Sequence, residues 1–482
     1  MADTVTDNPT VAAFTGTIDL SRPHFVGIGG TAMSGLAQVC AARGSQVSGT
    51  DAADSDRLPV LRAAGCEVTI GHDPRTIDGA SCVVYTTVAA HAPEITAARA
   101  AGIPVVHRAQ VLATLTEDQP LIAVAGTHGK STTTAMIVAA QQRLGADPSF
   151  VIGADLDTPG SGARHGRDRV FVAEADESDR ALHFLTPYTA IVTGIAHDHP
   201  ENYDGLDDHI YAYVSFASRI RHGGNLIVSA DDPASMHMTG RVRRLRPDLR
   251  IFTFGHAHTA DVRIVAAERD GWHTQVFVDA NGEKDYPAIH LDSPSAHHAL
   301  NAVAAMAVLV GLGTGSWTAA DAVSAFTGVR RRFTKAGEAA GVTVVDCHAG
   351  HHNEIAADLQ AAHAVAGSRG GKVIAVVQPS GYARVRAFGR QMGAMLATEA
   401  DTTVLLDIHG TAPIPGVSST LIGDAAIAAG GNLRYTSRTE APALISCLAA
   451  SGDVVVLLGT GDITTLATPL LRAIKQKTTL TV

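Results

Sequence analysis

Residues 121–134 read LIAVAGTHGKSTTT: an apolar run of strand length breaks into a glycine turn, a lysine and a row of hydroxyl residues, and the helical pattern AMIVAAQQ follows. Such a segment can cradle phosphate. Gly126 and Gly129 let backbone N–H groups approach an anion, with Thr127, His128 and Thr132 beside them. Lys130 supplies a point charge, and Ser131 offers a hydroxyl to a divalent cation at the helix start. The Walker A spacing is incomplete, because Val124 stands where its first glycine would be. A plain strand-to-helix turn is the competing reading; the strand before and the helix after favour a nucleotide site.

Two further strand ends carry candidate metal chemistry. FVAEADESD ends an apolar run in Glu174, Asp176, Glu177 and Asp179, and IVTGIAHDHPENYDG ends another in His197, Asp198 and His199. Oxygen ligands beside a phosphate loop suit Mg²⁺ bound to nucleotide phosphate. A solvated acidic loop is the alternative for EADESD. Nearer the start, HFVGIGGTAMSG places Gly27, Gly29 and Ala32 at G-x-G-x-x-G/A positions, and Asp51 closes the following strand, QVSGTD. Alone, those features suggest a dinucleotide enzyme; the second glycine loop at residue 126 makes that reading less natural. His348, His351 and His352 form a histidine-rich stretch for which zinc is one reading, without a cysteine pair to support it.

The elements that must hold these residues alternate between short β-rich runs and alanine-rich helical stretches, as in KVIAVVQP followed by ARVRAFGRQMGAMLATEA. That alternation predicts an α/β protein. It restarts near residues 24, 121 and 342, so three domains are expected, 1–116, 117–327 and 328–482, a division the 482-residue length allows. The net charge of −10, with scattered basic residues, argues against a nucleic-acid surface. Five cysteines without a CxxC pair suit reduced thiols. The acidic start MADTVTDNPT has no basic leader pattern, and no apolar run is long enough to span a bilayer. A soluble, cytoplasmic protein is expected, without a membrane partner.

Taken in order, GIGGTAMSG, VSGTD, GTHGKSTTT, EADESD, DHPENYDG, HHALNA, GVRRRF and GTGDI resemble the Mur ligase family from about residue 22 to 470. The resemblance implies a Rossmann-like sugar-nucleotide domain, a central P-loop-type ATPase domain and a C-terminal Rossmann-like domain for amino-acid binding and closure. It implies ATP-dependent joining of L-alanine to the lactyl carboxylate of UDP-N-acetylmuramate through an acyl phosphate, in peptidoglycan precursor synthesis, by a monomer or homodimer. Carried residue by residue, it assigns Lys130 to the ATP phosphates, and Ser131, Glu174 and His199 to magnesium. Asn301 falls to adenine, and Arg332 to an arginine brought towards ATP. Gly27, Gly29 and Gly30 fall to the pyrophosphate of UDP, with Asp51, His72 and Arg108 as further sugar-nucleotide contacts. Asp346 is the acid of the third domain, with His351 and Arg384 near the amine.

The chain also departs from the family pattern. Ser380 and Gly381 stand where histidine and arginine are usual, leaving Arg384 and Arg386 as the nearby guanidinium groups. Asp346 is single where two aspartates are usual. His298 replaces an asparagine of the adenine motif, and Gly194 and Ala196 replace polar residues after the metal strand, with Ala32 and Gln110 as milder changes. Two alternatives therefore stand beside alanine ligation: a related ligase for another acid and amine, and a non-catalytic nucleotide-binding homologue.

Overall fold

The computed structural model describes residues 14–480 except 157, 159, 179, 201, 281, 283, 284, 411 and 412, so Asp179 of the acidic run lies outside the described residues. The described residues form three sheets in chain succession. The first has five parallel strands, Pro23–Val26, Ser48–Asp51, Glu67–Ile70, Cys82–Tyr85 and Val105–His107, in the chain order 3-2-1-4-5. This is the doubly wound half-order whose switch point lies beyond the first strand, where the glycine turn Gly27–Gly30 stands.

The second sheet has ten strands, and the phosphate-loop strand Leu121–Ala125 lies inside it, buried throughout. Its parallel neighbours are Phe171–Glu174 on one side and Thr189–Val192 on the other. The three runs are continuous apolar segments because helices cover both sheet faces, and each fully buried Val, Leu or Ile side chain contributes about 1.5–3 kcal/mol. Register does the rest: three adjacent parallel strands end together, so their following loops converge. Beyond Arg250–Gly255 the sheet continues through Val262–Asp270, His273–Asp279 and Ala288–Leu291, the last three linked by antiparallel pairing. The simple α/β alternation did not include that extension.

The third sheet has six strands in the chain order 1-2-6-3-4-5, with Val454–Leu458 inserted between Val342–Cys347 and Val373–Val377. Its first strand, Thr334–Ala339, pairs antiparallel with the second. That segment precedes residue 342, where the sequence pattern restarts, and was not expected as a strand. It is an edge strand of half-buried and exposed residues, which hides it from a search for apolar runs. No helix among the described residues is long and apolar enough to cross a membrane.

Candidate active site

The phosphate loop is shaped by two glycines. Gly126 has φ 127° and Gly129 φ 81°, backbone conformations that side-chain-bearing residues resist. A Cβ at Gly126 would run into Thr193, and one at Gly129 into the amide of Asn301. Close approach on both sides thus pins the loop between the strand end at Val192 and the helix Ala296–Gly311. Thr127 fastens the floor: its N–H donates to the Gly194 carbonyl (2.9 Å), and its hydroxyl accepts from the Ala196 N–H (2.8 Å).

Lys130 opens the helix Lys130–Arg143, and its ammonium folds back over the loop. It donates to the carbonyls of Gly126 (2.8 Å) and Thr127 (3.3 Å) and meets the Glu177 carboxylate at 2.9 Å. Burial works against the ammonium, but Glu177, Asp176 and Glu174 together hold it protonated well above its ordinary range. One residue on, Ser131 donates its hydroxyl to Glu174 at 2.8 Å, and the same carboxylate oxygen accepts the Gly153 N–H at 2.9 Å. A hydroxyl and a carboxylate side by side at a helix start fit a hard cation that takes its remaining oxygens from phosphate and water. Among the described residues, no group of three His, Cys, Asp or Glu stands together as a metal cage, and the zinc reading of His348, His351 and His352 gains no support.

Arg332 reaches in from the segment leading to the third sheet. It donates to the Ser131 hydroxyl (3.4 Å) and to the His348 carbonyl (3.0 Å). Between the second and third sheets this leaves a cleft of ≈ 410 Å³, lined by His128, Gly129 and Thr132 from the loop, by Asn301, and by Arg332, Glu354 and Asp358 from the far side. The volume suits a nucleotide-sized ligand.

Two side-chain contacts bridge the second and third domains. His128 of the loop meets Glu354 at 3.1 Å, and Arg384 meets Asp198 at 3.1 Å. Burial alone would raise the Glu354 carboxyl; His128, Arg332 and the Gly350 N–H hold it well below its usual range. Asp198 is likewise lowered against its burial by Arg384 and His199. His199, with φ 51°, sits in the left-handed region beside Asp198, whose carboxylate accepts its N–H at 2.8 Å. Non-glycine residues held there cost energy and cluster at functional sites.

The structure separates several residues that the resemblance grouped. Asp346 is buried in the strand Val342–Cys347, where its carboxylate accepts from the Thr464 hydroxyl (2.6 Å) and lies 3.6 Å from Arg331; it does not line the cleft. His351 does not line it either. Its ring caps the helix His352–Gly367 by accepting the Asn353 N–H, and burial pushes it down to about 4. Arg384 has its guanidinium engaged by Asp198. In the first sheet, Asp51 accepts the Gly29 N–H at 2.8 Å and so shapes the glycine turn, with Gly27 at φ 78° and Gly30 at the N-cap of the next helix. His72 is tied to the fully buried Glu94 at 3.0 Å. Arg108 pairs with Asp176 at 2.8 Å, on the wall of a narrow ≈ 50 Å³ hollow that Glu174 also lines.

Glu177 and Asp198 were named from sequence only as part of the acidic strand ends, and Glu354 and Asp358 were not singled out at all. For Glu354 a signal existed: His351 and Glu354 have the spacing of a capping box, with a ring nitrogen in the hydroxyl's place. Asp358 carries no motif. Burial pushes its carboxyl up to about 7, although the Cys347 thiol bonds to it.

Comparison with known proteins accords with this geometry. Residues 22–119 match the family description "Mur ligase family, catalytic domain", 124–309 match "Mur ligase middle domain", and 331–461 match "Mur ligase, glutamate ligase domain". A Streptomyces griseus protein named UDP-N-acetylmuramate–L-alanine ligase is 43% identical over 457 residues, covering 94% of this chain and 97% of that protein. A Mycolicibacterium gilvum protein of the same name is 39% identical over 95% of this chain and 98% of its own length. Among solved structures, the UDP-N-acetylmuramate–alanine ligase of Thermotoga maritima shares the fold with a TM-score of 0.77 at 24% identity, over 95% of this chain and 99% of that one. The three-sheet α/β fold, the loop-centred cleft and the extent of these matches lead to one conclusion: the chain belongs to the Mur ligase family.

Proposed function

We propose that this protein is the ATP-dependent ligase that joins L-alanine to the lactyl carboxylate of UDP-N-acetylmuramate in peptidoglycan precursor synthesis, acting in the cytoplasm, with domain borders near 116 and 328. What carries the reading is the cluster of Lys130, Ser131, Glu174 and Arg332 beside a nucleotide-sized cleft that Arg332 and the loop residues His128, Gly129 and Thr132 line. Relatives that bear this activity in their names, at about 40% identity over nearly the whole chain, support the choice of substrates.

In this account Lys130 and Arg332 offset the charge of the outer ATP phosphates, so that the anionic lactyl carboxylate can attack the γ-phosphorus and ADP leaves. Ser131 and Glu174, with His199 on the adjoining loop, would hold Mg²⁺, which would screen phosphate charge. The uncharged alanine amine then attacks the acyl carbon and expels phosphate, losing its proton. His128–Glu354 and Arg384–Asp198 hold the cleft shut while the mixed anhydride exists, excluding water that would hydrolyse it. Gly27, Gly29 and Gly30 receive the UDP pyrophosphate, with Arg108 at the border of the second sheet.

One observation keeps a second amine in view. Where the family pattern has arginine, Gly381 has φ 80° and nothing within 4 Å of a built Cβ, so the amine side is roomier and less cationic. ADP formation across a panel of UDP-sugars and amino acids decides between them. Turnover that needs both UDP-N-acetylmuramate and L-alanine supports the proposal; turnover with a different amine and none with alanine replaces it.

A further inference from the structure

Next to the phosphate cleft lies a separate hollow of ≈ 300 Å³, between the segment 327–335 and the turn that joins the strands Val262–Asp270 and His273–Asp279. Its walls are flat and apolar where Trp272, Phe326 and Phe333 meet, and cationic where Arg330 and Lys335 enter. The Trp272 and Phe333 rings lie 5.7 Å apart at 45°, and the Lys335 ammonium is 6.0 Å from the centre of the indole. Volume and lining both fall within what small-molecule sites use.

One donor on these walls is unspent. The half-buried Arg330 guanidinium has no hydrogen bond or ion pair among the described residues, whereas its backbone N–H is engaged by the carbonyls of Asp155 and Leu156. Of the other charges on the walls, Lys335 pairs with Glu338 at 2.9 Å, Arg332 donates to Ser131 and to the His348 carbonyl, and the exposed Asp292 stands 2.8 Å from the His273 ring. A guanidinium donates without acceptor capacity, so what it asks for is an acceptor, and it prefers a planar carboxylate.

We propose that this hollow is a second ligand site, for a planar anion of the aromatic carboxylate class, bound through Arg330 with its ring against Trp272 and Phe333. His298 and Arg332 line both this hollow and the phosphate cleft, so the occupant touches the segment that carries Arg332 to Ser131 without entering the nucleotide space. The backbone there is constrained, with Arg331 at φ 61° and Phe333 at φ 52°.

The chain has two tryptophans, Trp272 and the exposed Trp317, so the full-length Trp317→Phe protein reports Trp272 alone. Titration with 4-iodobenzoate, a heavy-atom quencher, is expected to quench its emission to a plateau. Neutral 4-iodobenzyl alcohol should need at least tenfold higher concentration, and so should 4-iodobenzoate on a folded Arg330→Met variant. Saturating magnesium β,γ-imido-ATP should leave the plateau in place. Quenching that rises linearly without saturation, equal binding of the neutral probe, or displacement by the ATP analogue would each overturn the proposal. If Arg330→Met does not fold, as judged by circular dichroism, the charged and neutral probes still decide it.

Discussion

Arg384 and Asp198 meet fork to fork: Nε donates to Oδ1 and Nη2 to Oδ2, each at 3.1 Å, joining the helix Tyr382–Glu399 to the loop after Thr189–Val192. The carboxylate is 7% and the guanidinium 18% exposed. A buried bidentate pair of this kind is costly to break one side at a time, because the remaining charge is left buried without its partner. It also sets Asp198, the neighbour of His199, under control of the third domain.

Arg384→Ala therefore strands a buried carboxylate, a change that costs about 3–5 kcal/mol when nothing replaces the partner. Turnover is expected to fall at least tenfold. The Asp198→Asn, Arg384→Ala double variant should lose much less than the sum of the two single losses in a kinetic double-mutant cycle. Additive losses would mean that the pair does not act as a unit.

Lys130 is held by Glu177 as well as by the loop, with side chains 13% and 1% exposed. Lys130→Met is expected to lower turnover by about 10³-fold or more, because it removes the cation that would meet the γ-phosphate. It should also lower the melting temperature by leaving Glu177 buried and unpaired. Adding Glu177→Gln should restore the melting temperature but not the activity, and recovery of both would contradict the role given to Lys130.

Glu174 bonds to Ser131 and to the Gly153 N–H through one oxygen, so Glu174→Gln keeps an acceptor and loses the charge. The magnesium concentration for half-maximal rate is expected to rise about tenfold or more, with little change in thermal stability. An unchanged magnesium titration would remove Glu174 from the metal site.

The histidines around the cleft predict a pH dependence of stability. Burial pushes His298 and His351 down to about 4 and His348 to about 3, whereas an unfolded histidine titrates near about 6.5. Between those values the unfolded chain binds protons that the folded chain refuses, so stability falls as pH drops from about 6.5 towards 4. Asp358, raised to about 7, acts in the opposite sense: the folded form keeps a proton that the unfolded form releases, and stability is lost as pH rises from the ordinary aspartate range to about 7. Three histidines outweigh one aspartate, so melting temperature should fall steeply below pH 6. His348→Asn should flatten that fall, and an unaltered profile would count against this assignment.

Much of this was legible in the residues. That residues 126–132, Glu174 and His199 follow neighbouring strand ends could be read because strand, turn and helix signals are local, and because parallel strands end at one edge of a sheet. The partners of Asp346, His351 and Arg384 could not be read, because motif membership says nothing about which way a side chain is spent. Asp346 turns to Thr464, His351 to its own helix and Arg384 to Asp198, and only the fold supplies those partners. The edge strand Thr334–Ala339 escaped for a related reason, since its sequence lacks the apolar alternation that marks a buried strand.

The most direct test of carboxylate activation follows oxygen. UDP-N-acetylmuramate labelled with ¹⁸O in both lactyl carboxylate oxygens should, in one turnover with ATP and L-alanine, deliver one labelled oxygen to the released phosphate and keep the other in the new amide. Phosphate free of label, with amide formed and ADP released, would contradict attack of the carboxylate on the γ-phosphate and with it the role of the Lys130 loop.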